Sequence, residues 1–133
     1  MHGVEEMEGR SGVLCYIVDA EVDPDETTFL TAGDESLQAG HIVYQGGEEI
    51  SRHHHPRQER TIEKTSEAFF VQRGRCEVDI YDEELEHVAT RQLDQGDIMV
   101  LLRGGHGFRM LQDTVLFEVK QGPYLGGDDK RVF

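Results

Sequence analysis

Three consecutive histidines, His53, His54 and His55, are the residues of this chain best suited to chemistry. On an extended backbone successive side chains alternate, so His53 and His55 project to one face and His54 to the other. Two neutral imidazoles one strand repeat apart form a natural pair of transition-metal ligands. Glu67, which opens the apolar run AFFV, and His106, within RGGHGF, bring a candidate set to three histidines and one carboxylate. Such donors suit Fe, Mn, Ni and Zn alike, so the expected cofactor is one divalent transition metal ion of unspecified identity. The plainer reading of a histidine run is a surface tract that binds metal adventitiously. The run is internal to the chain, which argues against a purification tag, and His54, His41 and His87 read as ordinary surface or core residues.

The spacing of these residues resembles the first sequence motif of the cupin superfamily. Gly47 is followed after five residues by His53 and His55, and Glu67 is followed after six residues by Gly74. The departure is the gap of eleven residues between His55 and Glu67, longer than the family's, and Glu59 stands at the more usual distance. Glu67 is favoured as the carboxylate ligand, with Glu59 as the alternative and residues 56–66 as an inserted loop. Gly96, Gly104 and His106 resemble a second cupin motif, shortened by one residue, with Leu102 in place of its proline. The resemblance spans about residues 40–120, and GGHGF and EVKQGPY resemble small single-domain cupins associated with bacterial surface-polysaccharide biosynthesis. It implies an all-β fold, a small cupin-type β-barrel (double-stranded β-helix or jelly roll) with at most short helical turns. It also implies a metal held by His53, His55, Glu67 and His106, and a homodimer.

At 133 residues the chain reads as a single domain, residues 1–133. Its net charge of −14 argues against nucleic acid and anionic membranes as partners. The charge is uneven. Residues 1–51 hold twelve acids against the single base Arg10, and residues 76–133 hold twelve acids against six bases. Residues 52–75 reverse the balance, with six bases against Glu59, Glu63 and Glu67. This basic island coincides with the histidines and would draw in an anionic small molecule such as an oxo-acid or a sugar phosphate; the plainer reading is solvated loop charge. Cys15 and Cys76 have no metal or redox spacing and read as two reduced thiols, with a disulfide as the alternative. Residues 1–12 show neither the basic nor the apolar region of a secretion signal, so a soluble, cytoplasmic protein is the default expectation.

The elements that must position these residues read as short strands separated by turns. Strands are expected over 13–22, 27–32, 41–45, 48–55, 67–73, 76–82, 87–93, 98–102, 106–111 and 114–120, with Asp34 capping one helical turn before Gly40. On this pattern Ser51, His53 and His55 share one face, as do Glu67, Phe69 and Val71, and His106, Phe108 and Met110. Ser51, Phe69, Phe108 and Met110 are therefore candidate walls of a substrate pocket, although Phe and Met at such positions are more often plain core. The polar loop 56–66 reads as a lid or an arm passed to a partner subunit, and the aperiodic tail from Gln121 as a strap over the outside or onto a neighbour.

No nucleophile elbow, phosphate-binding loop or dinucleotide fingerprint appears. What remains is metal-centred chemistry. Four protein ligands on a six-coordinate ion leave room for a bidentate substrate or for substrate and dioxygen, so oxygenase, isomerase and lyase reactions are all compatible. Glu59 and Arg60, on the long loop, are candidates for direct acid–base work. The alternative is a non-catalytic module binding a sugar or other small molecule, with a structural metal or none.

Overall fold

A computed structural model describes residues 3–133; Met1 and His2 lie outside it. Ten strands follow in order: β1 (Val4–Glu8), β2 (Val13–Val18), β3 (Thr28–Phe29), β4 (Gly40–His41), β5 (Glu67–Arg73), β6 (Arg75–Tyr81), β7 (His87–Asp94), β8 (Ile98–Leu101), β9 (Gly105–Met110) and β10 (Val115–Lys120). A single 3-10 turn, Gly126–Asp128, follows them. The chain is all-β, as its pattern of short runs and turns led one to expect, and no α-helix occurs among the described residues. None is long and apolar enough to cross a membrane.

Every strand pair is antiparallel. The larger sheet has the order β1-β2-β8-β5-β10, the smaller β7-β6-β9, and β3 pairs with β4. The core lies between the two larger sheets. Cys15, Phe69, Val71, Met99 and Leu101 from one meet Cys76, Val78, Ile80 and Leu93 from the other. The sheets do not close into a continuous barrel, and β10 and β9 present open edges.

The contrast between β6 and β8 follows from which faces are covered. In β6, Cys76, Val78 and Ile80 are fully buried and alternate with Glu77, Asp79 and Tyr81, so one face meets the core and the other meets solvent. In β8, Met99 and Leu101 enter the core, while Val100 and the following Leu102 pack on the outer face beneath Leu30, Leu37 and Ala39. Buried on both sides, β8 reads as the unbroken run IMVLL.

Three expectations are corrected. No strand forms over 48–55, and that over 41–45 shrinks to Gly40–His41, because the residues that follow find no partner strand to bond. The helical turn at Asp34 does not form. The Gln38 amide donates to the carbonyls of Ala32 and Glu35, and the Ala39 N–H donates to Thr31 Oγ1, holding 31–39 as a polar turn over β8. β1 was not anticipated: VEEME buries only Met7, so as an acidic edge strand it carries almost no apolar signal. The cysteines are separate free thiols in the core, and burial pushes Cys15 up to about 12.

One end of the molecule is tied together by the turn between β6 and β7. The Asp82 side chain accepts from the Glu84 and Glu86 N–H groups and from Arg10 Nε at 2.8 Å. Within this turn Leu85 takes a left-handed φ of 65°. Glu83 accepts from the N–H groups of Arg10 and Ser11 at 2.8 and 3.0 Å, clamping the β1–β2 turn to it. These bonds lower the Glu83 carboxyl from 4.5 to about 2. Because its pKa is lower in the folded chain than in the unfolded one, the clamp is at full strength above 4.5 and is lost as pH falls toward about 2. Glu83→Gln should flatten the dependence of unfolding free energy on pH across that window, as read by urea titrations at stepped pH. Ile80→Ala, which empties a fully buried site, should lower stability by about 2–5 kcal/mol in the same titration at neutral pH.

Candidate functional site

Glu67 and His106 are brought together from opposite sheets. Glu67 opens β5, where it pairs with Leu101 of β8 and Lys120 of β10. The preceding Ser66 fixes that start: its N–H donates to Gln121 Oε1 and its hydroxyl to the Leu102 carbonyl. His106 stands opposite Ile80 in the smaller sheet. Its approach depends on Gly104, whose φ is 81° and whose missing Cβ would lie 2.2 Å from the Tyr81 carbonyl oxygen; only glycine lets the β8–β9 turn pass so close.

His106 Nε2 lies 3.2 Å from Glu67 Oε2. The contact is close enough for an ion pair if the imidazole is protonated, yet Glu67 Oε2 is buried with no hydrogen-bond partner. Proximity without hydrogen-bond alignment is the better description. The imidazole rests edge-on against Phe69 and Phe108, with centroids 5.9 and 5.8 Å away, and these apolar rings fix its plane.

Both residues line a cavity of about 690 Å³. Phe108 lines it too, and Tyr81 and Leu85 form the wall on the β6–β7 side. The C-terminal tail forms the other side: Asp129 is tied to Lys120 Nζ at 2.8 Å, and Lys130, Arg131 and Phe133 face the cavity. The Phe133 ring packs on Tyr81 with centroids 5.0 Å apart and fits against Gly105, where a Cβ would meet it at 2.8 Å. Arg103 also lines the cavity, but it is paired with Glu35, which binds Lys64 as well. Burial alone would raise the Glu35 carboxyl; the hydrogen bonds from Lys64 and Arg103 outweigh it and hold it below its usual range.

The other expected ligands are elsewhere. His53, His54 and His55 are exposed on the segment that carries no strand. The rings of His53 and His55 remain neighbours, 5.3 Å apart. His53 Nδ1 lies 2.8 Å from the Ser51 carbonyl oxygen, which can only accept; Nδ1 therefore carries the proton and Nε2 the free lone pair of the neutral ring. Among the described residues no three His, Cys, Asp or Glu side chains gather closely enough to hold one metal ion, so neither histidine joins Glu67 and His106 within one copy. Of the two candidate carboxylates, Glu67 lines the cavity, while Glu59 is exposed beside Arg60.

The candidate pocket residues divide in the same way. Phe108 lines the cavity and Phe69 supports it from the core. Ser51 is exposed, and Met110, at the far end of β9 opposite Cys76, is half exposed and outside the cavity. Sequence reasoning missed the walls built by Tyr81, Leu85 and the tail. Tyr81 reads as an outward residue of an alternating strand, and the tail has no periodicity, so neither carried a signal. No family model matches this chain, and neither a curated protein nor a solved structure matches it.

Proposed function

We propose that this chain is a metal-dependent enzyme acting on a small anionic metabolite, with Glu67 and His106 as two of the metal's ligands. The observation that carries this reading is Glu67 Oε2, buried, without a hydrogen-bond partner and 3.2 Å from an imidazole nitrogen. A buried carboxylate left so is costly, and a divalent cation shared with the neutral imidazole would satisfy it. The residues therefore fit such a group. The resemblance to cupins supplies His53 and His55 as the remaining ligands, and the Ser51 contact leaves His53 Nε2 free for that role.

A bound Fe, Mn, Ni or Zn ion would supply Lewis acidity at a substrate oxygen, which serves oxygenase, isomerase and lyase chemistry alike. The chain's own residues prepare the place. Phe69 and Phe108 hold the His106 ring, and Tyr81 and Phe133 give part of the cavity wall an aromatic lining. Lys130 and Arg131 offer positive charge to an anionic group at the wall, in a chain that is otherwise strongly acidic. Glu59 and Arg60 would act as acid and base only if their segment were brought to the cavity.

The second reading, a non-catalytic module for a sugar or similar molecule, draws on that aromatic wall, since Tyr81 and Phe133 offer apolar faces without reactive groups. Elemental analysis of protein purified without a metal-affinity column should find about one divalent ion per chain. Glu67→Gln and His106→Ala should each cut that content at least about tenfold and abolish the fall in Tm caused by chelators. Metal-free wild-type protein, or variants that keep their metal, would defeat the assignment. Calorimetric binding of sugar phosphates that NMR then shows to be unchanged by the metal-loaded chain would favour the second reading.

A further inference from the structure

Phe133 sits on the cavity wall in a way that core packing does not explain. It leaves 61% of its surface in water, so its ring adds little to the core. The surface beneath it is nonetheless shaped to take a ring. Gly105 of β9, its cross-strand neighbour Tyr81 on β6, and Leu85 on the β6–β7 turn form the seat. The Phe133 ring stands edge-on to Tyr81 at an interplanar angle of 88°, and a Cβ on Gly105 would meet its Cζ at 2.8 Å and its Cε1 at 3.0 Å. Gly105 has no left-handed φ, so its strand backbone is open to any residue and what the missing side chain provides is room. Glycine inside a strand weakens it and often marks a place where a ligand comes close to the backbone. Gly107, two residues on and therefore on the same face, is bare, with no atom within 4 Å of where its Cβ would be. Both glycines line the cavity together with Glu67 and His106. The flat shelf thus continues past the ring that now covers one end of it.

The tail reaches this shelf on a short tether. Asp129 is fixed, its N–H donating to the Gly126 carbonyl and its carboxylate paired with Lys120. Beyond Asp129, among the described residues, no main-chain hydrogen bond holds 130–133. The ring can therefore leave its seat without breaking a strand, while Lys130 stays beside the anchor.

We propose that Tyr81, Leu85 and Gly105 form a subsite for a flat aromatic ring carried by the cavity's ligand, and that Phe133 fills this subsite until that ligand arrives. The assignment rests on the function proposed above and narrows its substrate to an anionic molecule bearing an aromatic ring. Edge-on contact with Tyr81 and close approach to a glycine backbone suit such a ring, and offer nothing to a small oxo-acid without one. Because the chain's own ring competes, the apparent affinity falls with the fraction of molecules whose seat is taken.

Phenyl phosphate and methyl phosphate, titrated into the full chain and followed by amide NMR, test for the ring. Phenyl phosphate should bind the more tightly, and it alone should move the signals of residues 130–133 toward unstructured positions. Phe133→Ala should raise the affinity for phenyl phosphate by about two- to tenfold, the worth of one aromatic contact, and leave that for methyl phosphate unchanged. Gly105→Ala, which puts a methyl group in the seat, should also free the tail but abolish the preference for phenyl phosphate. Equal affinity for the two probes in the wild type overturns the subsite, and so does a Phe133→Ala chain that binds phenyl phosphate no better than the wild type. Metal content measured on the same samples keeps the two proposals apart. Metal-bearing protein without the preference sinks the subsite alone, and metal-free protein that shows it sinks the metal assignment alone.

Discussion

A carboxylate oxygen shielded from water favours a compensating partner, and Glu67 Oε2 is such an atom in this molecule. It is held in place by strong constraints on either side: Ser66 is bonded to Gln121 and Leu102, and the strand that follows is locked between β8 and β10. The Glu67 side chain keeps 16% of its surface exposed where it lines the cavity, while Oε2 itself is buried with no hydrogen-bond partner. Leaving a buried charged acceptor unmet costs on the order of 1–3 kcal/mol or more, a large share of a small domain's stability. The chain itself sets one group beside that atom, the imidazole of His106 at 3.2 Å.

The distance between the two sheets sets the rest. Glu67 and His106 meet only because two antiparallel sheets face each other across one layer of side chains, with Phe69 and Phe108 filling the space beside the histidine at a centroid separation of 4.9 Å. The turn at Gly104 and the clamp of Glu83 on Arg10 and Ser11 hold one end of that sandwich, and the tail closes it through Lys120–Asp129 and Phe133 on Tyr81. Residues far from the cavity thus decide whether its two central groups stay in register. The charge at the cavity is mixed: Lys130 and Arg131 line it together with Glu67 and Asp129.

The strands from β5 onward were legible because each buries a regular set of side chains. Alternation in CEVDIY, the unbroken run IMVLL and the turn at Gly74 all reflect local backbone geometry that one chain imposes on itself. Glu67 and His106 were singled out by their cupin-like offsets from Gly74 and Gly104, and the fold sets the two side chains 3.2 Å apart. The acidic β1 was not, since an edge strand needs only Met7 to pack. Nor was the tail, which is placed by one ion pair and one aromatic contact rather than by any repeat. Asp34 looked like a helix cap, but the Gln38 amide takes the Glu35 carbonyl that a helical turn would offer to the Ala39 N–H, and that N–H goes to Thr31 Oγ1 instead.

The stretch 48–55 differs in kind from these cases. Its alternation is that of a strand, with Ser51, His53 and His55 on one face, yet alternation records only that a residue pattern suits a pleated surface, not which chain supplies the neighbouring strand. Strand propensity is weak without cross-strand partners, so a segment whose partner is absent stays extended and solvated however well its pattern fits. The two halves of the candidate site therefore differ in what fixes them. Glu67 and His106 are set by the fold of one chain, and His53 and His55, 5.3 Å apart, stand on an exposed segment outside the cavity.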